Sequence, residues 1–177
     1  MRTPTRSLWI GATALSALLA TTARADDPCA GFTANVAHER ALFASAARAL
    51  NAGRNASTAP TIETDRLYDL ALAPNEQVQL PAPNKRAHGA GTGSAGLVRL
   101  QVTEAGSYRI SVGSQMWVDL ASGSMLIGSS DFAGQHGCDA PHKIVRYDLQ
   151  PGSFVLQLSG GSGDHVRVAV TRVPRDR

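Results

Sequence analysis

Val98-Arg99-Leu100-Gln101-Val102, Ala105-Gly106, Tyr108-Arg109-Ile110-Ser111-Val112, Gly113-Ser114, Met116-Trp117-Val118-Asp119-Leu120: the reading of this 177-residue chain turns on that stretch. Apolar and polar residues alternate within each run. A period of two sends successive side chains to opposite faces of an extended chain. Glycine-containing pairs break the alternation at turn spacing. Three such runs in a row are strands joined by tight turns, each with one apolar and one polar face.

The pattern continues towards the C-terminus. Ser122-Gly123 turns the chain, and Met125-Leu126-Ile127 is a short return strand. After a loop containing Cys138, Val145 and Tyr147 alternate with Arg146 and Asp148. Pro151-Gly152 is a strong turn signal, followed by Phe154, Leu156 and Leu158. Residues 160–164 turn again before Val166, Val168 and Val170. Upstream, residues 67–72 and 77–80 read as two further strands. They lead into a polar, turn-rich connection over 81–94 with Lys85, Arg86 and His88.

Residues 34–50 read differently. Val36, Phe43 and Leu50 recur every seven positions, alanine is abundant, and Asn51-Ala52-Gly53 supplies a stop. This predicts a helix lying on a sheet face; a short turn of helix followed by an extended strap is the competing reading. Residues 52–64 read as a loop. The expected architecture is mainly β: an antiparallel β-sandwich or jelly roll of about eight strands with one N-terminal helix. The sandwich is expected over 65–173, after a helix and linker over 26–64.

Arg2 and Arg6 precede an uncharged run from Leu8 to Ala20, and Ala23-Arg24-Ala25 closes it with a small-x-small pattern. That is the pattern of a secretory signal peptide cut near Ala25. The 13-residue run is short of the roughly 20 needed to span a bilayer. No twin-arginine pair is present, so the general export route is expected, with a periplasmic or secreted product. The formal charge of +3 and pI of 9.2 change meaning accordingly. Removing the three leader arginines from 17 basic residues leaves 14 against 14 acidic ones, a net charge of zero. Nucleic acid thereby loses its compositional support as a partner. A mean hydropathy of −0.11 excludes a multi-span membrane protein, and no second apolar run of membrane length follows the leader. Two cysteines in 177 residues exclude a disulfide-dense miniprotein.

Those cysteines, Cys29 and Cys138, have one way to pair in an oxidising compartment. The competing reading makes Cys138 a free thiol or a metal ligand. His136, Cys138 and His142 lie within seven residues of a glycine-rich loop, and imidazole with thiolate suits copper or zinc. His38-Glu39 lacks the second histidine of a zinc-protease helix, and Gly89-Ala90-Gly91-Thr92-Gly93 lacks the lysine and helix of a phosphate loop. No Gly-x-Ser-x-Gly elbow occurs. Trp117 is expected between the sheets; the alternative is an exposed platform for carbohydrate.

Three further stretches carry a resemblance: Gly96 to Leu100 with Ala105 to Val112, Trp117-Val118-Asp119, and Phe132 to Val145 with its Gly-Cys-x-Ala-Pro-His-Lys core. With Leu149-x-Pro151-Gly152, the chain resembles a family of small exported proteobacterial proteins of unknown function over roughly residues 34–170. Members of that family often carry the label homogentisate 1,2-dioxygenase. The label implies a non-haem iron enzyme that opens an aromatic ring with O₂ and holds iron with two histidines and a glutamate. No His-x-His followed closely by Glu occurs here, so no catalytic residue carries across. The rhythm of residues 108–112 and 149–156 is also similar to prepeptidase C-terminal β-sandwich domains, which act as accessory binding or secretion modules.

The sequence therefore predicts an exported periplasmic β-sandwich that binds a periplasmic protein or a small ligand. Metal binding through His136, His142 and Cys138 is the second expectation, and iron-dependent ring opening the third.

Overall fold

The computed structural model describes residues 27–83 and 93–174. The expected leader (1–25), Lys85, Arg86, His88 and most of the glycine-rich run beginning at Gly89 lie outside the described residues.

Among the described residues the chain forms one helix and twelve strands. Helix α1 spans Ala37–Phe43. The strands are β1 (Arg48–Asn51), β2 (Thr61–Ile62), β3 (Leu67–Ala71), β4 (Ala73–Pro74), β5 (Ser94–Val102), β6 (Gly106–Val112), β7 (Trp117–Ser122), β8 (Met125–Ile127), β9 (Asp131–Gly134), β10 (Lys143–Leu149), β11 (Gly152–Gly161) and β12 (His165–Arg172). They make two packed sheets. The first has the order β1-β3-β12-β6-β10-β9; the second has β2-β5-β11-β7-β8, with β4 also on β5. The fold is the expected β-sandwich, with more strands than the alternation revealed.

The alternating runs build its core. Val98, Leu100, Val102, Val118, Leu120, Phe154, Leu156 and Leu158 point inward from the second sheet. Tyr68, Leu70, Tyr108, Ile110, Val112, Val145, Tyr147, Leu149, Val166, Val168 and Val170 meet them from the first. Most of these are at least 95% buried. Burying such side chains contributes roughly 1.5–3 kcal/mol each against the cost of ordering the chain.

The central pairings are antiparallel, as expected. Two edge pairings are parallel: β1 with β3, and β2 with β5. Both come from the segment following α1, where the sequence predicted helix and loop. The expected helix over 34–50 is corrected to seven residues. Ser45 ends it: its N–H and its hydroxyl both donate to the Leu42 carbonyl, the hydroxyl at 2.6 Å. The chain then extends, and Arg48–Asn51 satisfies the free edge of β3 in a four-residue register. Pairing with an open edge outweighs alanine's helix preference, so the competing reading of a short helix and a strap holds.

The expected strand over 77–80 is also corrected. Asn75–Gln77 is a 3-10 turn, and the chain beyond it is extended without a ladder. Pro81 and Pro83 have no N–H to donate to one. The segment instead crosses the outer face of the second sheet. There the Gln157 side chain accepts from Ala82 N–H at 2.9 Å and donates to Ala82 C=O at 3.1 Å.

Helix α1 lies on the outer face of the first sheet. Phe43 packs on Leu67 and Ala169, all at most 3% exposed. Glu39 is 2% exposed, accepting from the Thr171 hydroxyl at 2.8 Å and from Arg109 at 3.2 Å. Ahead of the helix, Cys29 bonds to Cys138 with S–S 2.06 Å, which realises the expected disulfide. Asp27 reinforces this attachment by accepting from Cys29 N–H at 2.9 Å and from Arg40 at 2.7 Å. These bonds, the backbone one foremost, hold its carboxyl below the ordinary carboxylate value.

Candidate functional site

A sandwich has two lateral edges, and among the described residues one of them stands open. On that side the first sheet ends in β9 and the second in β8. Register decides which side chains face the gap. Phe132 of β9 is directly opposite Val145, a core residue, and directly opposite residues share a face. Ile127 of β8 is opposite Leu120, also core, so Ile127 and Met125 take the inner face of the second sheet. The apolar interior therefore runs out to the edge, and no described strand closes it there.

The result is a cleft of about 900 Å³. Val118, Val145 and Tyr147 form its floor and are at most 6% exposed. Met125, Leu126 and Ile127 line one wall, and Phe132 the other. Trp117, Asp119, Ser124, Ser129 and Pro83 complete the rim. Exposures in this lining are unusual: Trp117 is 40% exposed, Met125 69%, Leu126 36% and Phe132 72%. These are the exposed large hydrophobic residues among those described, and all four line this one cleft.

Lys143 closes one end. It stands at an inward position of β10, in step with Val145 and Tyr147. Its side chain crosses to the other sheet, where Nζ donates to the Met116 carbonyl at 3.2 Å and lies 5.5 Å from the Trp117 ring centre. Trp117 in turn rests close to Gly160, whose φ of +71° and lack of a side chain let the indole approach the backbone; a Cβ there would sit 3.2 Å from the ring. Trp117 is thus a rim residue at the mouth, not the core residue the sequence predicted. Tyr147 donates its hydroxyl to the Val118 carbonyl at 3.1 Å, so the floor presents the ring and keeps its polar tip occupied. Among the described residues the lining supplies apolar contact, the Lys143 ammonium and, on the rim, the Asp119 carboxylate.

The sequence pointed instead to the loop between β9 and β10. His136 and His142 do come together there, ring centres 6.3 Å apart and edge to face. Cys138 does not join them as a thiolate, because its sulfur is in the bridge to Cys29. Its carbonyl lies 3.1 Å from His142 Nδ1. No group of three His, Cys, Asp or Glu side chains suited to a metal ion occurs among the described residues. His38 and His165 lie elsewhere, paired with Asp65 at 2.8 Å and Asp69 at 3.2 Å.

The signal for the cleft was faint in the chain. Met125-Leu126-Ile127 is an unbroken apolar run where the alternation fails, and Phe132 is a lone aromatic in a polar, glycine-rich stretch. No helix among the described residues is long and apolar enough to cross a membrane. No protein-family model matches this chain, and no curated protein matches it either.

Proposed function

We propose that this is an exported binding protein of the periplasm that takes a small apolar molecule into the mouth of its sandwich. One observation carries the reading: the exposed large hydrophobic side chains among the described residues gather in one cleft instead of scattering. Exposed apolar surface is costly in water, and a gathered patch with a concave shape and a few polar groups is the usual form of a ligand site. Its volume lies within the range of small-molecule sites, about 300–1,000 Å³. The disulfide supports export, since such bonds persist in oxidising compartments.

The test is a fluorescence titration of the processed chain with N-phenyl-1-naphthylamine, an apolar probe that brightens on leaving water. Trp117 is then the sole tryptophan, because Trp9 belongs to the leader, and its emission reports on the cleft directly. Saturable binding is expected, with quenching or a blue shift of Trp117. Phe132→Glu, at a largely exposed position, should weaken it about tenfold or more, because a charge then lies on the apolar wall. Absence of saturable binding to the wild-type chain would overturn the reading.

A further inference from the structure

We infer that the ligand is a monomeric single-chain amphiphile with an anionic head, its tail between the sheets and its head at Lys143; this rests on the cleft being the ligand site. The gradient of polarity along the cleft carries the inference. The floor of Val118, Val145 and Tyr147 is apolar and nearly inaccessible, so it accepts only hydrocarbon. Walls of Met125, Leu126, Ile127 and Phe132 continue that surface outward. Methionine and leucine adapt to an unbranched chain, since both repack at small cost.

Lys143 gives the head its sign. It occupies an inward position that the alternation would give to an apolar residue, and its stem lies in the sandwich while its ammonium reaches the mouth. The Met116 carbonyl and the Trp117 ring fix where that charge sits. A carboxylate, sulfate or phosphate head arriving there forms a charge-assisted contact with a placed cation. Asp119 is the acid on the rim. It alternates with inward-facing Val118, as Trp117 does, so it starts from the same outward strand face as the indole, on the rim. Among the described lining residues, Lys143 is the charged side chain that rises from an inward strand position.

The experiment is a displacement titration of N-phenyl-1-naphthylamine by alkanoates of eight to sixteen carbons below their micellar concentrations. Dodecanol and dodecyltrimethylammonium serve as neutral and cationic heads on one tail. Affinity should rise roughly three- to fourfold per added methylene until the cleft is full. Dodecanoate should bind about tenfold more tightly than dodecyltrimethylammonium. Lys143→Gln should abolish that preference while keeping the chain-length dependence, and Lys143→Arg should retain both. Equal binding of the cationic head, an anion preference intact in Lys143→Gln, or affinity independent of chain length would each overturn the inference. So would binding to anionic phospholipid vesicles without binding of monomeric alkanoate. If the naphthylamine binds and no alkanoate displaces it, this inference fails and the binding reading stands. If neither binds, both fail.

Discussion

Glu39 shows how one residue fastens an element that could not hold itself. It is the buried carboxylate of α1, and one of its oxygens takes both the Thr171 hydroxyl and the Arg109 guanidinium. Arg109 also donates to the Asn35 carbonyl at 2.8 Å, so the same guanidinium holds the chain entering the helix. In the sequence this glutamate read as one half of an incomplete zinc motif on a helix surface. Its burial could not be read there, because it depends on Thr171, 132 positions away. Glu39→Ala takes the acceptor from the Thr171 hydroxyl and the counter-charge from the Arg109 guanidinium, which keeps its bond to the Asn35 carbonyl. Breaking a fully buried ion pair costs about 3–5 kcal/mol. The Arg109 side chain is 20% exposed and recovers some solvation. The expected loss is therefore about 2–3 kcal/mol in urea denaturation. Glu39→Gln, which keeps an acceptor for Thr171, should lose less. A midpoint unchanged in Glu39→Ala would contradict this account of the helix.

At the scale of elements, legibility followed burial. Strands β5, β6, β7, β10, β11 and β12 each bury one full face, and the resulting alternation is written plainly in residues 98–102, 108–112, 118–120, 145–149, 154–158 and 166–170. Strands β1, β2, β4 and β9 are short pieces on sheet edges, too brief for a period to show. Two of those pieces share one task with an isolated bridge. Ala73–Pro74, the bridge at Gly53 and Thr61–Ile62 line a single edge of β5 in turn and protect it from pairing elsewhere. Residues 77–80 read as a strand for a related reason: beyond Gln77 the chain is extended and partly apolar, but it covers a sheet face. Gln157 makes that covering specific. Its amide is 1% exposed and spends both functions on Ala82. Gln157→Leu fills similar space but leaves the Ala82 N–H and C=O without their partner. Each buried, unpaired backbone group costs about 1–3 kcal/mol, offset by the apolar gain, so a net loss of about 2 kcal/mol is expected in urea denaturation. Pro83 follows this clamp and stands on the cleft rim, so naphthylamine binding should weaken as well. A variant as stable as wild type would show that the clamp holds nothing.

On the scale of the whole molecule, the cleft and the disulfide are both products of chain closure. The cleft exists because β8 and β9 end their sheets on the same side without meeting, a relation between strands that no local pattern encodes. The disulfide was legible because two cysteines admit one pairing, and its effect is equally global. It joins the start of the described chain to the loop after β9 across 109 residues, so it secures the segment leading into α1 to the hairpin that forms one cleft wall. In the unfolded chain such a link removes loop entropy worth about 4–5 kcal/mol at 25 °C. Two consequences separate this effect from a lost native contact. Reduction, or the Cys29→Ser/Cys138→Ser pair, should lower unfolding stability by about that amount in urea. It should also steepen the dependence on urea, because an uncrosslinked unfolded chain exposes more surface than a looped one. A destabilisation with the slope unchanged would place the effect in the folded state, in the contacts of Asp27 and Arg40 beside the bridge. Equal stability of the oxidised and reduced chains would mean that the sandwich closes without its staple.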